Sequence, residues 1–297
     1  MIMFIKRVSL CLIALLFMIG SHAQKTGKVL EERTVKSNIM NRNVRYTIYL
    51  PADYETSERT YPVVYLLHGY TDDNTGWLQF GEINRLVDKA IGEGTIPPMI
   101  IVMPNADSSW YINSYDGKEK YEDFFIKEFI PAIEKAYHIK GEKKYRGVAG
   151  LSMGGYGSLI YVLKYPDVFA AAAPLSAAVW SDSQMVSMSD NSYEITYGPL
   201  YGKGLKGNDR LSNAWYANSI LKLVESKPVS ELRKVRYWID CGDDDFLTVG
   251  NSLLHIALTE KKVPHEFRMR DGVHSWTYWR TGIIDALQFI GDSFHQK

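Results

Sequence analysis

Tyr145-Arg146-Gly147-Val148-Ala149-Gly150-Leu151-Ser152-Met153-Gly154-Gly155 decides how this chain folds. Tyr145–Ala149 is a short apolar run that reads as a strand covered on both faces. Gly154–Tyr165 reads as a helix, and Pro166 stops it. Between them sits Gly150-Leu151-Ser152-Met153-Gly154, a G-x-S-x-G motif in the strand-turn-helix setting of a nucleophile elbow. The turn is so sharp that neighbouring backbone crowds the positions two before and two after the serine, which glycine tolerates. The following helix aims its N-terminus at the serine, where its dipole favours developing negative charge.

Working outward, β-rich apolar runs recur at Val44–Leu50, Pro62–Leu67, Met99–Met103, Ala170–Leu175, Val235–Cys241 and His265–Met269. Helical patterns alternate with them. Ile126, Phe129, Ile130, Ile133 and Tyr137 form one apolar stripe, and Pro131 should kink that helix or start a new one. Leu253–Lys262 and Thr277–Gln296 give two further helices. Strands alternating with helices predict an α/β protein with a mostly parallel central sheet and helices on both faces. The stretch around Val29–Val35 and the run Val44–Leu50 should form an antiparallel edge.

A serine needs a base, and in this arrangement the chain order is Ser, acid, His. His274 lies in Asp271-Gly272-Val273-His274-Ser275-Trp276, between a strand and a helix, where ligands bind at the carboxyl ends of strands. It is the candidate base. The acid should follow the preceding strand, where Asp243, Asp244 and Asp245 stand together. The spacing favours Asp245 but leaves the other two open. The oxyanion donors expected are the backbone N–H of Met153 and that of Tyr70, after Leu66-Leu67-His68-Gly69. His68 precedes the serine and is expected to brace its turn.

Composition sets the outer bounds. The chain has 297 residues, 34 Lys+Arg against 34 Asp+Glu, and 46% hydrophobic residues, so it is globular and carries no excess of cations for nucleic-acid binding. Lys6 and Arg7 precede a nearly all-apolar run from Val8 to Gly20, and Ser21-His22-Ala23 ends it with small residues. Residues 1–23 therefore read as a cleaved signal peptide, which predicts a secreted or periplasmic protein with no membrane span after cleavage. Residues 24–297 are expected to form one domain. Cys241 is then the single remaining cysteine, placed in a strand as a packed thiol.

Several motifs together carry a resemblance. They are Val64-Tyr65-Leu66-Leu67-His68-Gly69 with Gly76-Trp77, the elbow, Tyr165-Pro166-Asp167-Val168-Phe169, Cys241-Gly242-Asp243-Asp244-Asp245, and Gly272-Val273-His274-Ser275-Trp276 with Trp279. From about Arg45 to Phe289 the chain resembles the esterase D-like α/β-hydrolases. That group includes feruloyl and acetylxylan esterases of carbohydrate esterase family one, S-formylglutathione hydrolase and mycolyltransferases. The resemblance implies an α/β-hydrolase fold, a Ser152–His274–Asp245 triad, oxyanion N–H groups at Tyr70 and Met153, and no metal or organic cofactor. It implies an ester substrate, small or oligosaccharide. Feruloyl esters of plant polysaccharide come first and acetyl esters next; acyl transfer to a sugar, or carbohydrate binding without catalysis, are the alternatives.

Substrate choice should come from the irregular segments. Residues 176–231 form an insertion between two strand candidates and hold Trp180, Tyr193, Tyr197, Tyr201, Trp215 and Tyr216. The segment reads as a cap, whose rings either bind substrate or pack the cap onto the body. Trp180 and Tyr197 are its candidate substrate contacts. Trp110, in the loop Asn105–Asp116, and Trp77 and Trp276 join them as expected substrate-facing rings.

Overall fold

The computed structural model describes residues 26–295; the expected signal peptide lies outside the described residues. Eight strands form one sheet: β1 (Lys28–Ser37), β2 (Arg42–Leu50), β3 (Val63–Leu67), β4 (Ile100–Pro104), β5 (Arg146–Leu151), β6 (Ala171–Leu175), β7 (Arg236–Gly242) and β8 (Glu266–Arg270). Their order is β1-β2-β4-β3-β5-β6-β7-β8. β1 and β2 pair antiparallel, β2 joins β4 antiparallel, and every later pairing is parallel. The mostly parallel sheet and its antiparallel edge are those the sequence predicts.

All residues of β3, β4, β5 and β6 are buried, as strands covered on both sides must be. Strand pleating sends alternate side chains to opposite layers. Tyr65, Val102, Val148 and Ala172 enter one core, and Leu66, Ile101, Ala149 and Ala173 enter the other. The second core is closed by α1 (Ile83–Gly92) and by the C-terminal helix. The first is closed by α2 (Ile130–Ala136), α3 (Met153–Lys164) and α4 (Thr248–Glu260). The C-terminal helix, α5, spans Trp276–His295.

Two helices start where they do for local reasons. At Pro131 a new helix starts, the second of the two expected outcomes. A wide turn at Phe125–Phe129 precedes α2, and the Ile130 N–H bonds to the Phe125 carbonyl, five residues back. The wider turn precedes a proline that has no N–H to give to the residue four back. α4 begins five residues before the expected Leu253. Gly250 hides that start in the sequence, yet it is required there because the Val179 carbonyl occupies the space of a Cβ.

The segment 176–231 folds into short helices rather than an open loop. Arg210 fastens it from inside. Its guanidinium, 1% exposed, donates to the carbonyls of Met185, Val186 and Met188, pairs with Asp190 and lies 4.6 Å from the centre of the Tyr193 ring. Among the described residues no helix is long and apolar enough to cross a membrane.

Candidate active site

Ser152 stands between β5 and α3 with φ 54° and ψ −114°, a strained conformation for a residue with a side chain. Its surroundings hold it there. The Ser152 N–H donates to the Leu175 carbonyl at 2.9 Å, and its own carbonyl accepts from Tyr156 and Ala178 at 3.0 and 3.1 Å. The glycines are set by sterics: a Cβ at Gly150 would lie 2.6 Å from the Gly154 carbonyl, and one at Gly154 would meet the carbonyl of Leu67. β3 and the elbow are therefore packed backbone to backbone.

The loops after β7 and β8 bring the other two side chains to the serine. His274 Nε2 is 3.0 Å from Ser152 Oγ, and His274 Nδ1 is 2.8 Å from Asp245 Oδ2. Asp245 Oδ1 accepts the Leu247 N–H at 2.9 Å. Burial pushes the Asp245 carboxyl up, but the hydrogen bonds from His274 and the Leu247 N–H outweigh it and hold the group below the usual carboxylate range. An ionised carboxylate only accepts, so the proton of neutral His274 sits on Nδ1, and Nε2 is free to accept from the serine hydroxyl.

Asp243 and Asp244 are exposed and do not face the histidine ring. Asp243 instead clamps the histidine loop: its carboxylate accepts the Gly272 N–H at 3.0 Å, while its own N–H donates to the Arg270 carbonyl at 3.1 Å. Below the loop, buried Asp240 accepts from Arg270 at 3.1 and 3.2 Å and from the Tyr278 hydroxyl. This brace ties β7, β8 and the start of α5 together under His274.

Tyr70 and Met153 are the expected oxyanion donors. Met153 is the first residue of α3, so its N–H has no intrahelical partner. Tyr70 follows Gly69 in the turn after β3, and both line the cavity that contains Ser152. His68 holds that turn. Its Nδ1–H donates to the Gly69 carbonyl at 2.8 Å, its Nε2 accepts the Ala106 N–H at 2.9 Å, and its carbonyl accepts the Tyr111 hydroxyl at 3.0 Å. Burial lowers the His68 pKa to about 4. Cys241 is buried, and burial raises its thiol to about 12, so it is a packing group and not a nucleophile.

The likeness to known proteins covers almost the whole described chain. Residues 37–290 match a family model described as "Putative esterase". The chain belongs to that esterase family. A solved ferulic acid esterase is 34% identical, with a TM-score of 0.78, over 91% of this chain and 99% of that one. An esterase of Mycobacterium tuberculosis is 32% identical over 78% of this chain and 52% of its own length. The chain thus spans about half of that relative. The acetyl esterase of Caldicellulosiruptor saccharolyticus is 26% identical, covering 86% of this chain and 95% of that protein.

The cavity over the serine has a volume of about 520 Å³. Trp276 lines it together with Trp279, Phe80 and Phe246. Other expected substrate-facing rings are elsewhere. Trp77, 1% exposed, is a core residue: it donates Nε1–H to the Leu67 carbonyl at 2.9 Å and supports Trp276 edge-on. Trp110 and Tyr197, each 4% exposed, pack on each other and on Tyr70, Tyr156 and Tyr201. These three expectations are corrected, because each ring is buried in the packing and none lines the cavity over the serine. Trp180 is half-buried. It donates to the Tyr197 hydroxyl at 2.6 Å and stacks on Phe246.

The sequence reading missed Phe80 and Phe246. Phe80, 50% exposed, lies tilted against Trp276, and Phe246, 63% exposed, lies 4.6 Å from the His274 ring, centre to centre. The position of Phe246, directly after Asp245, was the available signal.

Proposed function

We propose that the protein is a secreted serine carboxylic-ester hydrolase that works through an acyl-enzyme, with residues 1–23 as its cleaved signal peptide. The observation that carries this is the continuous chain from Ser152 Oγ through His274 to Asp245, opening into an aromatic-lined cavity. In the reaction, Ser152 Oγ attacks the ester carbonyl while His274 Nε2 takes its proton. Asp245 keeps His274 in the required tautomer and stabilises the imidazolium. The carbonyl oxygen becomes an oxyanion between the Tyr70 and Met153 N–H groups. His274 then protonates the leaving alcohol. Water repeats the sequence on the acyl-enzyme, releasing the acid and restoring Ser152.

The flat walls given by Phe80, Phe246, Trp276 and Trp279 suit an aromatic acyl group better than a bare acetyl. The favoured substrates are therefore feruloyl esters of plant polysaccharide or its oligosaccharides, with acetyl esters second. The relatives named ferulic acid esterase and acetyl esterase support both. Incubation with feruloylated, acetylated and plain alkyl esters, followed by product analysis, tests the reading. Release of ferulate ahead of acetate is expected; no turnover even of 4-nitrophenyl acetate would refute it.

A further inference from the structure

One wall of the catalytic cavity carries, beside the oxyanion donor Tyr70, a carboxylate that has no part in the mechanism above. It is formed by Gly69, Tyr70, Thr71 and Asp72, and Asp72 is the one carboxylate among the described residues that line the cavity. Its neighbour Asp73 is used by the fold, since its carboxylate accepts both the N–H and the hydroxyl of Thr75 at 2.7 Å. Asp72 has no such employment. Its carboxylate accepts a long hydrogen bond, 3.2 Å from the Asp73 N–H. Burial, helped by the charge of Asp73, pushes its carboxyl up. Its position is nevertheless built in: the carboxylate fills the space that a side chain at Gly76 would need.

An ionised carboxylate has about four acceptor sites, and leaving them unfilled in a half-buried position costs free energy. It also stands two residues from Tyr70, where a negative charge opposes the developing oxyanion. A hydroxyl donated by the substrate offsets both costs.

We propose that Asp72 is a specificity residue that accepts a hydrogen bond from a hydroxyl of the ester, so that the site selects hydroxylated esters over their methylated counterparts. This rests on the ester-hydrolase reading of the same site. The hydroxyl comes from one of two sources, a phenol on the acyl group or a sugar hydroxyl on the alcohol.

The test compares kcat/KM within two substrate pairs for the wild type, Asp72→Asn and Asp72→Ser. Methyl ferulate against methyl 3,4-dimethoxycinnamate removes one phenolic hydroxyl. A mono-acetylated methyl xyloside against its O-methylated form removes the sugar hydroxyls. The wild type should prefer the hydroxylated member of one pair by about tenfold or more, the usual worth of a hydrogen bond to a charged group. Both variants should lose most of that preference. Movement in the first pair alone assigns the phenol, and movement in the second alone assigns the sugar. Preferences of the same size in the wild type and both variants overturn the proposal. Failure of the wild type to turn over 4-nitrophenyl acetate refutes the hydrolase reading instead. In that event equilibrium binding of the same pairs, followed by tryptophan fluorescence, decides Asp72, and affinities unchanged by substitution overturn its role.

Discussion

Replacing Asp245 by Asn leaves volume and shape almost unchanged and alters one proton, so its consequence follows from the hydrogen bonds. One carboxylate oxygen accepts from the Leu247 N–H at 2.9 Å and the other faces His274 Nδ1 at 2.8 Å. An amide cannot serve both as an acceptor. If its oxygen stays on Leu247, its NH₂ faces Nδ1. His274 must then carry its proton on Nε2, where it can no longer accept from Ser152. If the amide flips, its NH₂ opposes the Leu247 N–H in a buried place, and the imidazolium still lacks a counter-charge. Either way kcat should fall by up to about 10⁴, the precedent for this change in a serine triad, or about 5 kcal/mol of barrier. Asp244→Asn, at an exposed position, should cost less than about twofold. Asp243→Asn weakens the clamp on Gly272 and should cost a few-fold. The assay is steady-state hydrolysis of 4-nitrophenyl acetate beside a thermal melt showing that each variant is folded. A folded Asp245→Asn protein within tenfold of wild type, or a larger loss at Asp244, would refute the reasoning.

Ser152→Ala should remove the attacking oxygen and lower kcat on the order of 10⁴-fold or more with an unchanged melting temperature; retention of a tenth of the activity would sink the assignment. Tyr197→Ala removes a buried ring and orphans the Trp180 N–H, so it should cost about 3–5 kcal/mol and lower the melting temperature by roughly 5–15 °C. Small and feruloylated esters should then suffer alike, and a loss confined to the bulky ester with full stability would restore Tyr197 as a substrate contact. Acid should weaken the fold through His68, whose pKa of about 4 lies below the roughly 6.5 of an unfolded histidine. Between those values the unfolded chain binds more protons, so stability rises with pH across the window, by about 3 kcal/mol in all. Urea unfolding at pH 4.5 and 7 should show His68→Gln less stable at pH 7 yet less sensitive to acid. Equal acid sensitivity of the two proteins would count against the buried neutral histidine.

Part of this was legible in the chain alone, for reasons that are local. A strand buried on both faces must be apolar throughout, so β3, β4 and β6 announce themselves as continuous runs. The elbow is equally readable because its geometry leaves room for only glycine at Gly150 and Gly154, whatever the rest of the protein does. The position of His274 was legible because a histidine between a strand and a helix, after the serine, has one end of the sheet available to it.

What remained depended on contacts between residues far apart in the sequence. Three consecutive aspartates have the same composition and nearly the same spacing from β7. The turn after Gly242, held by Asp243 on Gly272, decides that Asp245 points inward and the others outward. A tryptophan in a core and one in a binding site are the same residue, so the sequence could not divide Trp77, Trp110 and Tyr197 from Trp276. Burial is a sum over neighbours, and those neighbours come from β3, α3 and the segment 176–231 at once. Asp72 and Phe246 gain their interest only from the cavity they line, a space enclosed by loops from four separate strands. The sequence by itself determined the sheet, the elbow and the histidine, because each is set by sterics or burial within a few residues. Only the tertiary structure decided which aspartate meets His274, which rings are exposed and that a carboxylate lines the cavity, because orientation and solvent exposure are properties of the packed whole.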